Sequence, residues 1–140
     1  MRACGPCQLC CKVMAVEAVA KPLSQWCPRI GPKQRGCSVY DQRPEECRRY
    51  NCLWLQGLGP DEHRPDLIHA VASPAKGGAV AIHEDQGHNG AGRAALQPLI
   101  ALCQRQGRRV FLYAGCDKFE LQENGEWRLQ SSTNSKTCPL

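Results

Sequence analysis

The sequence is poor in aromatic residues and contains no long apolar run. Phe, Trp and Tyr make up 6% of its 140 residues, which leaves material for only a modest core. No segment approaches the ~18 apolar residues of a membrane-spanning helix. The N-terminal segment also lacks the apolar stretch of a signal peptide, because Cys, Gly, Pro, Gln, Lys and Glu interrupt it. We therefore expect a cytoplasmic protein with no membrane span, built as one compact domain or as two small ones that share a core.

Cysteine, in contrast, is abundant, with 11 in the chain. Disulfides are rare in a reducing compartment, and an odd count leaves at least one thiol unpaired, so metal ligation is the expected use. Eight cysteines fall in the first part of the chain: Cys4, Cys7, Cys10, Cys11, Cys27, Cys37, Cys47 and Cys52. The scattered Cys103, Cys116 and Cys138 are expected to be small apolar side chains, the usual role of a lone buried cysteine.

The opening motif repeats a two-residue spacing, from Cys4 to Cys7 to Cys10, and Cys11 follows at once. A Cys-x-x-Cys loop lets two sulfurs converge on one metal. Adjacent cysteines rarely serve one tetrahedral ion, so we infer that Cys10 and Cys11 face different directions. Eight thiols fit two closed four-cysteine zinc sites, or one iron–sulfur cluster together with structural or redox thiols.

Other interpretations of the same residues are less well supported. A thioredoxin-like redox pair at Cys4 and Cys7 should follow a strand, and none can precede residue 4. The bacterial ferredoxin spacing is disfavoured, since Cys11 directly follows the third cysteine. A catalytic zinc needs an open coordination position, and the sequence identifies no catalytic residue. His63 is the one histidine close to the cysteine-rich part and is an outside candidate for a ligand.

The positive charge is confined to the cysteine-rich part. The net charge of the chain is +5, and residues 1–57 account for all of it, with nine Lys or Arg against four Asp or Glu. A basic patch could bind nucleic acid. Alternatively, the cations compensate thiolates, since a metal with four thiolates is a negatively charged site. We favour compensation, because the basic residues alternate with the cysteines and do not form a run.

The pattern of elements predicts an α+β fold. Proline and glycine make residues 1–57 loop-rich. One helix is predicted from a cap at Asp41 to a stop at Gly57, and it brings Cys47 near the positive helix end, where a thiolate is favoured. Residues 58–130 are predicted to form a small strand–helix–strand unit and a hairpin, in one compact unit with the first part. The predicted elements are strands 66–72, 78–84 and 108–115, a helix within 92–107 that Pro98 kinks or delays, and a hairpin over 118–130 with a type I′ turn at Asn124-Gly125. Residues 131–140 are predicted to be a flexible tail.

The cysteine-rich part resembles the YkgJ-like cysteine-cluster proteins, the family of the CxxCxxCC zinc- or iron-chelating domain. The likeness starts with the opening motif and continues through Lys21-Pro22 and Trp26-Cys27. It is densest from Gly36-Cys37 through Tyr40, Arg43-Pro44, Cys47-Arg48 and Tyr50 to Cys52, Trp54-Leu55 and Arg64-Pro65-Asp66. The resemblance covers residues 4–66 well and residues 67–122 loosely, and it implies metal chelation by the same eight cysteines.

The leading hypothesis is therefore a metal protein in which eight cysteines bind zinc or iron, with a possible protein partner on the α+β part. The alternatives are an iron–sulfur protein with a redox or catalytic role and, third, a zinc-dependent nucleic-acid-binding module. Around the ligands, Arg43 and Arg48 are expected to donate to sulfurs or carbonyls, or else to form salt bridges. Trp26, Tyr40, Tyr50 and Trp54 are expected to wall the cluster as core.

Overall fold

The computed structural model describes residues 2–4, 7–30, 37–85 and 93–131. Its α-helices are Cys10–Val13 (α1), Glu45–Arg49 (α2), Pro65–Ile68 (α3) and Gln97–Arg105 (α4). Its strands are Ala70–Pro74 (β1), Val80–Glu84 (β2), Val110–Ala114 (β3), Asp117–Leu121 (β4) and Trp127–Ser131 (β5). Short 3-10 turns are Glu17–Val19, Tyr40–Gln42, Asp61–His63, Lys76–Gly78 and Ala94–Leu96. The predicted α+β class is confirmed.

The five strands form one mixed sheet in the order β1-β2-β3-β4-β5. Neighbouring strands are antiparallel except β2 and β3, which run parallel. A parallel pair needs a crossover connection, and α4 lies in that connection. The predicted strand–helix–strand unit and C-terminal hairpin are thus present, and they leave β1 at the edge nearest the cysteine-rich part.

The main core lies between α4 and the sheet. Leu99, Ile100 and Cys103 of α4 are at most 4% exposed and belong to the same apolar cluster as Ile82 and Leu112. The burial of Cys103 confirms its expected role as a small apolar side chain. Cys116 behaves differently: it is half-buried in the turn between β3 and β4 and is disulfide-bonded. Cys138 lies outside the described residues.

Proline sets where two of the helices begin. Pro98 lies in the first turn of α4, where its missing N–H costs no hydrogen bond, so the helix starts at Gln97. Pro65 likewise opens α3. The predicted strand 66–72 is therefore wrong in its first half, because residues Pro65–Ile68 are helical and His69 ends them with φ +54°. Strand β1 begins only at Ala70.

The predicted long helix from Asp41 to Gly57 is wrong. Tyr40–Gln42 forms a separate 3-10 turn, Pro44 occupies the N-cap of α2, and Tyr50 ends that helix in an extended conformation. The residue before a proline avoids the helical region, and Arg43 accordingly has ψ 146°. The chain that follows turns instead of continuing helically, which brings Cys52 inward against β1.

The C-terminal hairpin is confirmed but its predicted turn type is not. Gln122 donates its N–H to the Glu126 carbonyl at 2.8 Å, and Gly125 donates to the Gln122 carbonyl at 3.0 Å. Gly125 has φ +85°, but Asn124 is not among the described residues with positive φ. A type I′ turn needs positive φ at both, so the loop is a three-residue one that ends on a left-handed glycine. Ser131 belongs to β5, and the remainder of the predicted tail lies outside the described residues.

No helix in the described ranges has the length and apolar character that a bilayer crossing needs.

One half-buried histidine makes the stability of the sheet depend on pH. His83 of β2 lies opposite Tyr113 of β3, and their rings stack with centroids 4.8 Å apart. Burial lowers the pKa of His83 from 6.5 to about 4, because the charged imidazolium loses its hydration.

We expect His83 to make stability fall as the pH falls. Between pH 6.5 and about 4, the His83 site binds more protons in the unfolded chain than in the folded one. The contribution of His83 to the free energy of unfolding is therefore complete above pH 6.5 and is lost toward pH 4. Its size is up to about 3 kcal/mol. Urea unfolding of the wild type and of His83→Gln, each as purified, measures this difference across the same pH range. A difference between the two proteins that does not change with pH would contradict the assignment.

Candidate metal centre

The first group of thiols lies on an apolar cluster that joins the cysteine-rich part to the sheet. Leu9 and Val13 flank α1 and pack with Trp54 against Val71 of β1. Cys52 is 7% exposed inside this cluster, and Cys7 and Cys10 pack against its edge. Cys7 also donates its N–H to the Cys4 carbonyl at 2.9 Å, which folds the exposed Cys4 back toward the same corner.

The second group of thiols is gathered by backbone hydrogen bonds. Cys27 donates its N–H to the Cys11 carbonyl at 2.8 Å. Cys37 pairs with Ile30 in an isolated antiparallel bridge, and Ser38 donates to the Arg29 carbonyl at 2.7 Å. These contacts bring segments that lie far apart in the sequence beside the C-terminal side of α1.

Helix α2 carries Cys47 to the same place. The Glu46 carboxylate accepts a hydrogen bond from the Ala18 N–H at 2.9 Å, which ties α2 to the Glu17–Val19 turn. The predicted effect of the helix end on Cys47 is wrong in direction. Burial, then Glu46, then the sulfurs of Cys11, Cys27 and Cys37 raise its pKa, and a helix of 5 residues has too small a dipole to reverse this.

Backbone amides point at two of the sulfurs. Cys27 Sγ accepts the N–H of Arg29 at 3.4 Å. Cys7 Sγ accepts the N–H groups of Leu9 and Asp66, which oppose the rise in the pKa of Cys7 that burial causes. In both cases the amide two residues downstream donates. Such bonds favour the thiolate, which is the form that binds a metal.

Asp66 is held in position by the neighbouring Arg64. The Arg64 guanidinium donates to both carboxylate oxygens of Asp66, at 2.6 and 3.0 Å, and this pairing is the largest cause of the lowered pKa of Asp66. Because Pro65 opens α3 between them, the Asp66 N–H is left free of the helix and reaches Cys7. This pair beside the cluster was not identified as functional from the sequence.

The adjacent Cys10 and Cys11 are electrostatically unlike. The Cys10 thiol donates a hydrogen bond to Cys11, which lowers the pKa of Cys11 to about 7. The same bond, with burial, raises the pKa of Cys10. Nearby thiolates raise the pKa values of Cys4 and Cys10 further, because like charges repel.

The structure buries a lysine among these sulfurs. Lys21 is 1% exposed, and its ammonium donates to the carbonyls of Lys12 at 2.7 Å, Pro22 at 2.9 Å and Met14. Burial lowers its pKa, whereas the sulfurs of Cys27, Cys11, Cys10 and Cys47 raise it in that order. A cation in this position supports the interpretation that basic residues compensate thiolates. In the sequence, the only local signal that Lys21 is buried is its position at the end of an apolar stretch.

The sulfurs are near one another, but they do not converge on a shared metal position. Within residues 2–4, 7–30, 37–85 and 93–131, no three His, Cys, Asp or Glu side chains are arranged to hold a metal ion. All eight cysteines of the cluster are free. The donor set itself, clustered thiols with N–H donors and a buried ammonium, suits zinc or an iron–sulfur cluster.

The residues around the thiols divide between core and surface. Trp54 is 9% exposed and Tyr50 packs against it, as expected. Tyr40 is 61% exposed, so its predicted role as core is wrong. It stacks instead under Arg43, whose Nε donates to the Tyr40 carbonyl at 2.9 Å. The Arg43 charge opposes the rise in the pKa of Cys4 that burial causes, and it adds to the fall in the pKa of Cys11 that the Cys10 thiol causes.

Arg2 fastens the start of the chain onto the loop after Trp54. Its guanidinium donates to the Trp54 carbonyl at 2.8 Å, lies over the Trp54 ring at 4.7 Å and pairs with Asp61 at 3.2 Å. His63, the outside candidate for a ligand, packs its ring against Gly59 in the same corner. Burial lowers the pKa of His63.

Several basic residues of the first part are engaged within the chain. Lys12 pairs with the buried Asp85 at 2.9 Å and Arg49 with Glu45 at 2.8 Å, while Lys21 and Arg2 bind carbonyls. Charges used in this way are less available to phosphates. These contacts therefore argue against a nucleic-acid surface formed by these four residues.

An open cleft of about 710 Å³ lies beside the cluster. Its lining includes Met14, Tyr50, Ser73, His83 and Tyr113. The hydroxyls of Tyr50 and Ser73 share a hydrogen bond of 2.6 Å, and burial is the main cause that raises the pKa of Tyr50. Tyr50 thus stands between the cleft and the cluster that contains Cys10 and Cys52.

The chain matches no protein-family model, no curated protein and no solved structure. The resemblance to the YkgJ-like proteins accordingly rests on the cysteine motif and the residues around it.

We expect Lys21→Met to lower the free energy of unfolding by about 3 kcal/mol, because three buried carbonyls lose a charged donor. Denaturant unfolding of the protein as purified measures the loss. Lys76→Met is the matched control, since Lys76 is exposed on the 3-10 turn before β2. Equal stabilities of the two variants would show that the buried ammonium contributes nothing.

Proposed function

We propose that this protein binds zinc or iron through its eight clustered cysteines: Cys4, Cys7, Cys10, Cys11, Cys27, Cys37, Cys47 and Cys52. The observation that carries the proposal is the gathering of these free thiols from five separate segments around α1 and Lys21. The likeness of the motif to the YkgJ-like proteins gives it further support.

The chain's own residues account for much of what such a site requires. Backbone N–H groups donate to the sulfurs of Cys7 and Cys27. Lys21 and Arg43 supply positive charge close to the sulfurs. Thiolate ligands are those that zinc and iron–sulfur clusters take in proteins.

The proposed role of the metal is structural. Helices α1, α2 and α3 have 4, 5 and 4 residues, far below the length at which a helix is stable alone. Structural zinc contributes ~10–16 kcal/mol of apparent binding energy in small peptides, against a net stability of ~5–15 kcal/mol for a typical domain. Metal binding is therefore large enough to decide whether this part folds.

A second candidate is an iron–sulfur protein with a redox or catalytic role. The cleft beside Tyr50 favours it, because a substrate bound there would lie next to the cluster. A brown colour, charge-transfer absorption and acid-labile sulfide in anaerobically purified protein would select this candidate over zinc.

We expect protein purified without oxygen to contain zinc or iron in a fixed ratio to the chain. Elemental analysis of the wild type measures that ratio. A variant with Ser at all eight positions should contain neither metal, whereas Cys103→Ala should retain the full content, since Cys103 lies in the core under α4. Folded wild-type protein that contains neither zinc nor iron after purification without oxygen would refute the proposed function.

Chelation at neutral pH should unfold the cysteine-rich part first. Trp26 and Trp54 lie there, whereas Trp127 lies in β5, so near-UV circular dichroism should lose most of its intensity while the sheet persists. The same spectrum after complete metal removal would argue against a structural role.

A further inference from the structure

The contacts of the eight thiols separate them into two sets, and α1 divides the sets. Cys10 and Cys11 are the first two residues of α1. Successive residues of a helix point about 100° apart, so the two side chains leave the helix in different directions. The hydrogen bond between the two thiols marks the boundary between the sets: Cys10 packs against the apolar cluster of Trp54, and the main chain at Cys11 is bonded to Cys27.

The first set lies on the side of α1 that faces β1. Cys7, Cys10 and Cys52 all belong to the apolar cluster of Leu9, Val13, Trp54 and Val71. Cys4 joins them through the turn closed by its carbonyl and the Cys7 N–H. The sulfur with the largest effect on Cys4 is that of Cys52, ahead of Cys11.

The second set lies on the other side of α1. The bond from Cys27 to the Cys11 carbonyl joins two of its members directly. Cys37 enters through its bridge with Ile30, three residues after Cys27. Cys47 completes the set: the bond from the Ala18 N–H to Glu46 holds α2 against the turn before Lys21, and the sulfurs that act on Cys47 are those of Cys11, Cys27 and Cys37.

Each set also contains one sulfur that accepts an N–H from the residue two positions downstream. Cys7 accepts from Leu9 in the first set, and Cys27 accepts from Arg29 in the second. The two sets therefore have the same number of thiols, and the same type of backbone hydrogen bond to a sulfur occurs in each.

We propose that the cysteines form two separate four-cysteine metal sites: Cys4, Cys7, Cys10 and Cys52 bind one ion, and Cys11, Cys27, Cys37 and Cys47 bind the other. This inference rests on the proposed function and adds to it the assignment of each ligand. Lys21 lies beside the second site: its ammonium binds the carbonyl of Lys12, the residue after Cys11, and three of the four sulfurs that act on it belong to the second set.

Labelled cadmium tests the assignment in the wild-type chain. Cadmium replaces zinc at thiolate sites, and heteronuclear NMR correlates each bound cadmium with the β-protons of its own cysteines. We expect two cadmium signals, each correlated with the four cysteines of one set. A signal correlated with cysteines of both sets would overturn the division.

Paired substitutions give an independent test with Co²⁺, whose absorption reports tetrahedral thiolate sites. Cys4→Ser and Cys37→Ser should each halve the Co²⁺ bound per chain. The double variant Cys4→Ser with Cys7→Ser should still bind half, because both changes fall in one site. The double variant Cys4→Ser with Cys37→Ser should bind none, and Cys103→Ala should bind the full amount.

The two failures are distinguishable. Wild-type protein that binds neither cadmium nor Co²⁺ refutes the proposed function itself. Wild-type protein that binds them, but loses all metal in the variant with Cys4 and Cys7 replaced while its sheet stays folded, refutes only the division. Cys47→Ser replaces Cys37→Ser if the latter does not fold, since both thiols belong to the second set.

Discussion

The packing of Leu9 and Val13 against Trp54 and Val71 is the contact on which the cysteine-rich part depends. The three helices of this region are each a single turn or little more, so they cannot hold the chain by themselves. The apolar cluster gives them a fixed surface, the outer face of β1. It also buries Cys52 and sets the direction in which Cys7 and Cys10 leave the backbone. The sheet thus provides the rigid element, and the thiols are arranged on loops that it supports.

Electrostatics limits how such a set of thiols can be assembled. Sulfurs that approach one another raise each other's pKa, so a cluster without positive charge would remain protonated or spread apart. The chain supplies charge from within, through the ammonium of Lys21 and the guanidinium of Arg43. Lys21 is fixed by carbonyls from both ends of the segment that follows α1. Its position therefore couples the fold of this loop to the charge of the thiols.

The parts of the fold with strong local signals were predictable from the sequence. The apolar spacing of Leu99, Ile100 and Cys103 identified α4, and the alternating segments around Gly125 identified the hairpin. Local signals did not predict the bounds of the short helices, because a proline sets where each one begins and contacts with distant residues set where it ends. Pro44 and Pro65 start short helices, and the extended conformation at Tyr50 and the left-handed His69 end them.

The eight cysteines of the thiol cluster were likewise proposed from their spacing in the sequence. Their arrangement in space could not be predicted from that spacing. Spacing indicated that Cys10 and Cys11 diverge. It gave no indication that Cys27 returns to Cys11 or that Cys52 joins Cys7 in the apolar cluster, since these contacts join residues far apart in the chain. The burial of Lys21 depends on the same long-range folding.

Arg2 gives the amino terminus an influence on the cluster without being one of its thiols. It fastens the residues just before Cys4 to the Trp54 carbonyl and to Asp61, so the first cysteine is reached from a fixed point. Loss of the Arg2 guanidinium would therefore release the segment that carries Cys4, and the cluster would change although every one of its cysteines remained in the chain.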